Sequence, residues 1–205
     1  MSHILLITSS PRLESFSTKV ARALAEQLAS REPSSTVTVR DLAREVLPHI
    51  DDSFAAARNV PAETLAPAQK AAMALSDKLL EELFVADSII IAAGMFTFGI
   101  PSRLKAYIDY IVRPGVTFKY SNKGPEGLVR GKKVYLVVAR GGVYSTGPMQ
   151  QLNFQDTYLR AVLPFMGLND IEVITVEGVA FGPEAADQAV GAALAKVSAI
   201  AARQR

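Results

Sequence analysis

The sequence predicts a three-layer α/β sandwich: a five-stranded parallel sheet of strand order 2-1-3-4-5, with helices on both faces. Three observations predict it. Four short runs are almost wholly apolar, as strands buried on both faces must be. The segments between them carry apolar residues at helical spacing. Strand and helix patterns alternate along the chain, which demands parallel pairing through right-handed crossovers.

The apolar runs are His3–Thr8 and residues 88–93, 134–139 and 171–176. Thr36–Asp41 alternates (Thr-Val-Thr-Val-Arg-Asp) and reads as a more exposed edge strand. Five helical patterns separate or follow these strands. Residues 17–31 place Val20, Ala23, Leu24 and Leu28 along one stripe, and Pro67–Val85 does so with Met73, Leu75, Leu79, Leu80, Leu83 and Phe84. Residues 104–112, 153–165 and 183–202 supply the others. Two connections are long. Residues 43–61 look irregular, with Asp51-Asp52 as a solvated turn. Residues 116–132 run through Val-Thr-Phe-Lys-Tyr to Asn122-Lys123-Gly124-Pro125, which predicts a strand-like excursion and a turn. With no repeat, low-complexity tract or linker, residues 1–205 read as one domain, long enough to bury a core and keep a cleft.

Composition removes several function classes. The net charge of +2 is not gathered into runs, so no basic stripe for nucleic acid is present. Without cysteine, disulfides, thiolate catalysis and cysteine-ligated zinc are excluded, which fits a reducing cytoplasm. Met1-Ser2-His3 passes directly into Ile4-Leu5-Leu6-Ile7, unlike a secretory leader. No apolar run approaches the roughly 20 residues that span a bilayer. His3 begins a strand and His49 lies in a connection, so neither has a partner motif for metal or triad chemistry.

In doubly wound sheets ligands bind beyond the carboxyl ends of the strands, at the switch point. Three loops meet that condition. After the first strand come Ser9-Ser10-Pro11-Arg12 and Ser15-Phe16-Ser17-Thr18, five hydroxyls at a helix start. Ser15 suits the N-cap, and Ser10 and Ser17 are further phosphate ligands beside the unpaired N–H groups of a first turn. Capping and turn chemistry alone is the alternative for this loop. Neither G-x-G-x-x-G nor G-x-x-x-x-G-K-[ST] is present. After the third strand, Gly94-Met95-Phe96-Thr97-Phe98-Gly99 offers an apolar wall for a flat ring. Taken singly, these side chains also suit the top of the core. After the fourth strand, Ala139-Arg140-Gly141-Gly142 exposes close backbone donors, or is simply a tight turn. A ligand with a phosphate, a polar tail and a planar ring satisfies all three loops, and FMN is such a ligand.

These residues, in order, resemble the FMN-dependent NAD(P)H azoreductase (quinone reductase) family of flavodoxin-like fold. The resemblance extends through Leu104-Lys105, Asp109, Arg113, Gly115-Val116-Thr117-Phe118, Gly124-Pro125-Glu126-Gly127-Leu128, Gly131-Lys132-Lys133 and Glu177-Gly178, essentially the whole chain. It implies non-covalent FMN, with Ser10, Ser15, Phe16 and Ser17 at the phosphate. Met95, Phe96, Thr97 and Phe98 would lie along the ring and ribityl chain, and Ala139, Arg140, Gly141 and Gly142 at the pyrimidine end. Phe118 and Tyr120 would form the lid over the open flavin face. It assigns no catalytic side chain, since the flavin N5 would carry the chemistry. NAD(P)H would be a transient donor and quinones or azo compounds the acceptors, in a two-electron ping-pong cycle. Family members are homodimers whose sites are walled partly by the partner subunit. Gly94 stands where Pro is frequent, Phe96-Thr97 where Tyr-Asn is common, and Ala139 where Ser is common; these departures bear on substrate preference. Lys105, Asp109 and Arg113 read as helix packing or surface pairing despite the match.

The alternative is a flavodoxin-type electron carrier with no substrate of its own. The basic isoelectric point near 8.9, the length and the lid segment weigh against it. A receiver domain needs an Asp after the third strand and acidic residues after the first; Ala92-Ala93-Gly94 and Ser9-Ser10 stand there instead. A flavin-free regulatory protein would purify colourless.

Overall fold

β1 (His3–Thr8), β3 (Ser88–Gly94) and β6 (Lys133–Ala139) are the middle of the sheet, and their side chains are buried almost end to end. β2 (Thr36–Asp41) and β7 (Asp170–Val176) form its two edges, where the solvent-facing side chains are polar or singly apolar. This computed structural model describes residues 2–58 and 60–203. All four pairings are parallel: Leu6 lies between Val39 and Ile90, Ile91 beside Leu136, and Val137 beside Ile174.

In chain order the sheet is β2-β1-β3-β6-β7. The expected 2-1-3-4-5 numbering is corrected because two further strands, β4 (Phe118–Ser121) and β5 (Gly124–Gly127), intervene as a separate antiparallel hairpin. The flavodoxin-like arrangement is the same. The second correction is α2 (Asp52–Ala57), a helix inside the connection expected to be irregular. Asp51 is its N-cap, accepting from the Phe54 N–H at 3.0 Å, rather than part of a solvated turn. Residue 59 of that connection lies outside the described residues.

Each face of the sheet has its own core. α1 (Phe16–Arg31) and α6 (Pro183–Arg203) bury Val20, Leu24, Leu28, Val190, Val197 and Ile200 against Leu6, Ile90 and Val137. α3 (Pro67–Val85), α4 (Ser102–Ile111) and α5 (Phe154–Phe165) cover the other face, where Leu79, Leu83, Leu104, Ile108 and Leu159 meet Ile7, Ile91 and Leu136. Residues one apart on a strand point to opposite faces, so each inner strand feeds both cores. At the end of β2, buried Arg40 pairs with Glu82 and Glu45. Its pKa is raised chiefly by the hydrogen bond to Glu82, and burial pushes that of the neighbouring Tyr107 hydroxyl up. No helix among the described residues is long and apolar enough to cross a membrane.

The hairpin packs at the far end of α5 from the carboxyl edge of the sheet. Phe118 is buried with its ring centroid 4.4 Å from that of Phe165, and the Val129 N–H bonds the Met166 carbonyl. Gly127 abuts Gly167 so closely that a Cβ there would lie 2.1 Å from the Gly167 nitrogen. Phe154, at the other end of α5, donates its N–H to the Phe98 carbonyl at 3.1 Å. About 16 Å of helix therefore separates Phe165 from the loop carrying Phe98.

Candidate functional site

The carboxyl ends of β1, β3 and β6 are neighbours in register, with Thr8 beside Ala92 and Gly94 beside Ala139. Their loops leave the sheet tied to it: the Met95 N–H bonds the Ala139 carbonyl at 2.8 Å, and the Arg140 N–H bonds Val176 at 2.9 Å. Between the loops lies a cleft of about 290 Å³. Ser10, Ser15 and Phe16 line one end, Met95 and Phe96 one wall, and Ala139, Arg140 and Gly141 the other.

At the serine end, local hydrogen bonds set the cradle. Ser15 caps α1, its hydroxyl accepting from the Thr18 N–H at 3.4 Å and lying 3.1 Å from the Ser17 hydroxyl. The N–H groups of Phe16 and Ser17 belong to the first turn, where no intrahelical acceptor exists. Ser9 turns inward and donates to the Ala92 carbonyl at 2.8 Å, which leaves Ser10 facing the cleft. Ser17 is fully buried behind Ser15 and does not line the cleft.

On the apolar wall, Phe96 and Gly99 exchange both backbone hydrogen bonds, at 3.1 and 3.0 Å. Thr97 (φ 46°) and Phe98 (φ 66°) are the two central residues, so the loop is a two-residue hairpin of type I′. Thr97 faces a second cavity of about 310 Å³ that shares Phe96 with the first. Phe98 lines neither cavity; its ring lies 6.3 Å from that of Tyr144.

On the third loop the backbone and the side chain of Arg140 divide. Its guanidinium is buried and points into the protein: Nε donates to Gln155 at 2.9 Å, Nη1 to Glu177 at 2.9 Å, and Nη2 lies 2.8 Å from Asp156. The residue therefore presents only backbone to a ligand. Gly141 is tightly placed, since a Cβ there would meet Ala180 at 3.3 Å; Gly142 lies against the Tyr144 ring.

The two residues expected to form the lid lie away from the cleft of their own chain. Phe118 is buried in the hairpin, and neither it nor Tyr120 borders the cleft. Three lining residues escaped the sequence reading as ligands: Arg12, Val179 and Ala180. Arg12 sits beside the serine cradle with its guanidinium 5.5 Å from the Phe16 ring centroid. The signal for Val179 and Ala180 was the Glu177-Gly178 step, whose glycine takes φ 74° and turns the chain back over β6. Lys105–Asp109 at 2.5 Å is a surface pair, and the largely buried Arg113 joins Asp77 and the Ser76 hydroxyl on α3, so both serve pairing and helix packing.

A larger depression, about 730 Å³, opens at the amino edge of the sheet. Its cations are already paired: Lys132 donates to the Phe84 and Ala86 carbonyls at 2.7 and 2.6 Å, with its pKa lowered by burial, Lys133 pairs with Asp170 at 2.6 Å, and Arg130 with Glu126. Volume alone does not make it the site; donors converge at the smaller cleft.

The cleft fits FMN on its own chemistry. Hydroxyls, first-turn amides and Arg12 suit a dianionic phosphate. Met95 and Phe96 suit one face of a planar ring, and the tight backbone at Gly141 suits its polar edge. The cleft stays open because position 141 has no side chain to fill it.

Comparison with known proteins agrees with this geometry. The chain belongs to the flavodoxin-like fold family, whose sequence profile matches residues 2–201. It is 56% identical over 201 residues, 98% of each chain, to an FMN-dependent NADH:quinone oxidoreductase of Rhizobium etli. Among solved structures it is similar to an azoreductase of Bacillus anthracis str. Sterne, with TM-score 0.91 and 30% identity, covering 98% of this chain and 99% of the other. An FMN-dependent NADH-azoreductase of Bacillus anthracis str. Ames Ancestor, solved in complex with FMN, gives TM-score 0.87 and 25% identity over 98% and 100% of the two chains.

Proposed function

We propose that this chain is an FMN-dependent oxidoreductase that takes electrons from NADH and reduces quinones and azo compounds. One observation carries the reading: a serine cradle, an apolar wall and a close backbone edge converge on a single cleft at the carboxyl end of the sheet. Bound there, FMN supplies the redox chemistry, accepting two electrons from the nicotinamide donor and passing them to the acceptor. The protein's own share is placement. Ser10, Ser15 and the first turn of α1 hold the phosphate, with Ser17 fixing Ser15 from behind. Met95 and Phe96 exclude water from one ring face, Thr97 and Phe98 shape that wall, and residues 139–142 direct N–H groups at the pyrimidine edge.

The reading takes residues 1–205 as one domain in a homodimer of the cytoplasm, with no membrane or nucleic-acid partner. Support for the dimer comes from the cleft's mouth. Phe96 lines it and is exposed, and Phe98, Val143, Met149, Phe154 and Phe181 are exposed on the segments that follow β3, β6 and β7, apolar side chains that a subunit contact would cover. Tyr120 is 75% exposed on the hairpin, its ring edge-on to Phe118 at 5.5 Å, so its outer side is open to wall a partner's cleft. That placement keeps the lid but supplies it from the second subunit.

The test is spectral. Purified protein reconstituted with FMN should show the yellow flavin bands, bleach under anaerobic NADH, and regain colour on addition of a quinone. Colour that NADH does not bleach would instead mark an electron carrier.

A further inference from the structure

Beneath the cleft, the side chains of Gln155, Arg140 and Glu177 form one continuous hydrogen-bonded chain across the ends of three adjacent strands. Gln155, fully buried on α5, donates Nε2 to the Ala93 carbonyl of β3 at 2.9 Å, and its Oε1 accepts from Arg140 at the end of β6. Arg140 donates Nη1 to Glu177, the residue after β7, and its Nη2 lies 2.8 Å from Asp156 as an ion pair. Asp156 also lies 3.6 Å from the half-exposed Arg160. The second oxygen of Glu177 accepts three donors from the loop beyond Gly142: the Tyr144 N–H at 3.1 Å, the Ser145 N–H at 3.3 Å and the Ser145 hydroxyl at 3.1 Å.

We propose that Glu177 is a positioning residue for the flavin site, clamping the 141–145 loop so that its backbone and the Tyr144 ring are held at the pyrimidine edge. The inference rests on the FMN reading and deepens it. The physical case is that one carboxylate does two unlike jobs. Its first oxygen is fixed by a buried guanidinium that is itself fixed to the sheet. Its second collects the otherwise unpaired amides of a loop that has no secondary structure of its own. Hydrogen bonds to a charged acceptor are stronger than neutral ones, and a loop held by three of them is pre-ordered before any ligand arrives. The ring of Tyr144 then lands between Gly142 and Phe98, joining the apolar wall to the backbone edge.

Glu177→Gln is the discriminating variant. Gln retains an oxygen for Arg140, and Asp156 still compensates the guanidinium, so the core stays paired. What it turns toward the loop is an amide NH2, which cannot accept from Tyr144 and Ser145. In the FMN-free protein, hydrogen exchange at the Tyr144 and Ser145 amides should accelerate at least about tenfold while strand amides keep their protection. FMN dissociation constants, followed by flavin fluorescence, should rise about tenfold, and the visible bands of bound flavin should move toward those of free FMN. Ser145→Ala, which removes one donor and cannot threaten the fold, should raise the constant about two- to threefold.

A merely structural Glu177 would lower the urea midpoint and leave FMN affinity per folded molecule at the wild-type value; that result overturns the proposal. Wild-type exchange at the two amides in Glu177→Gln overturns it as well. If the wild-type protein takes up no FMN, the functional reading fails, and the exchange experiment on the ligand-free protein still decides whether the clamp exists.

Discussion

Among single residues, Thr97 occupies the least comfortable backbone position described. It is β-branched, at φ 46°, and the following Phe98 is also left-handed at φ 66°. A type I′ turn asks for Asn or Gly at these places because a Cβ there crowds the backbone, at roughly 1–2 kcal/mol per residue. Strain of this kind persists where the surroundings impose it, and here the Phe96–Gly99 bonds and the Phe154 N–H on the Phe98 carbonyl do so. Thr97→Asn should therefore raise unfolding free energy by about 1 kcal/mol, measured by urea denaturation with the slope unchanged. An unaltered or lower midpoint would mean that Thr97 is not strained. Nothing in Met-Phe-Thr-Phe announces such a turn, so the sequence suggested an apolar wall without its shape. Ser15 shows the opposite case: capping is local, and Ser-Phe-Ser-Thr before an amphipathic run displays it directly. The Arg140 hydrogen bonds to Gln155 and Glu177 were hidden for a third reason, since these partners lie 15 and 37 residues away and only the fold brings them together.

For whole elements, legibility followed length and burial. β1, β2 and α3 carry the limits the pattern predicted, and the other sheet strands begin or end within a residue of it. Long periodic runs leave the chain few alternatives. α2 has six residues, under two turns, too short to display a helical period. β5 reads Gly-Pro-Glu-Gly, with no strand propensity at all; it is extended because Ser121 and Gly124 close a turn and Gly127 docks on Gly167. That docking is the element's weak point. Any Cβ at position 127 would collide with backbone, 2.1 Å from the Gly167 nitrogen and 2.4 Å from its Cα, and backbone in that turn has no rotamer by which to withdraw. Gly127→Ala should cost about 3 kcal/mol, the upper range for overpacking. The loss should appear in the urea midpoint, whereas the cleft is built from other elements, so FMN affinity of the folded fraction should hold. A variant within about 0.5 kcal/mol of wild type would show that the hairpin can dock differently.

For the whole molecule, one chain leaves an open cleft at the carboxyl edge and an exposed Tyr120 on a hairpin at the far end of α5. In the proposed two-fold dimer, a hairpin that reaches the other subunit's cleft does so reciprocally, so each cleft would be walled by both chains. Complementation separates this arrangement from a lid working within its own chain. Gly141→Trp should fill the cleft and abolish FMN uptake, because that position already lies within contact of Ala180. Tyr120→Ala should keep FMN and lose efficiency toward the acceptor, since the open ring face is no longer covered. Each homodimer is then defective at both of its sites. In a heterodimer isolated through two different affinity tags, the chain with the intact cleft faces the chain with the intact hairpin, and one of the two sites is whole. That heterodimer should bind one FMN per dimer and recover about half of the wild-type quinone reductase rate. If the hairpin served its own chain, the same heterodimer would also bind one FMN. Its single occupied cleft would then lie under the missing Tyr120, and the rate per flavin would stay at the Tyr120→Ala value.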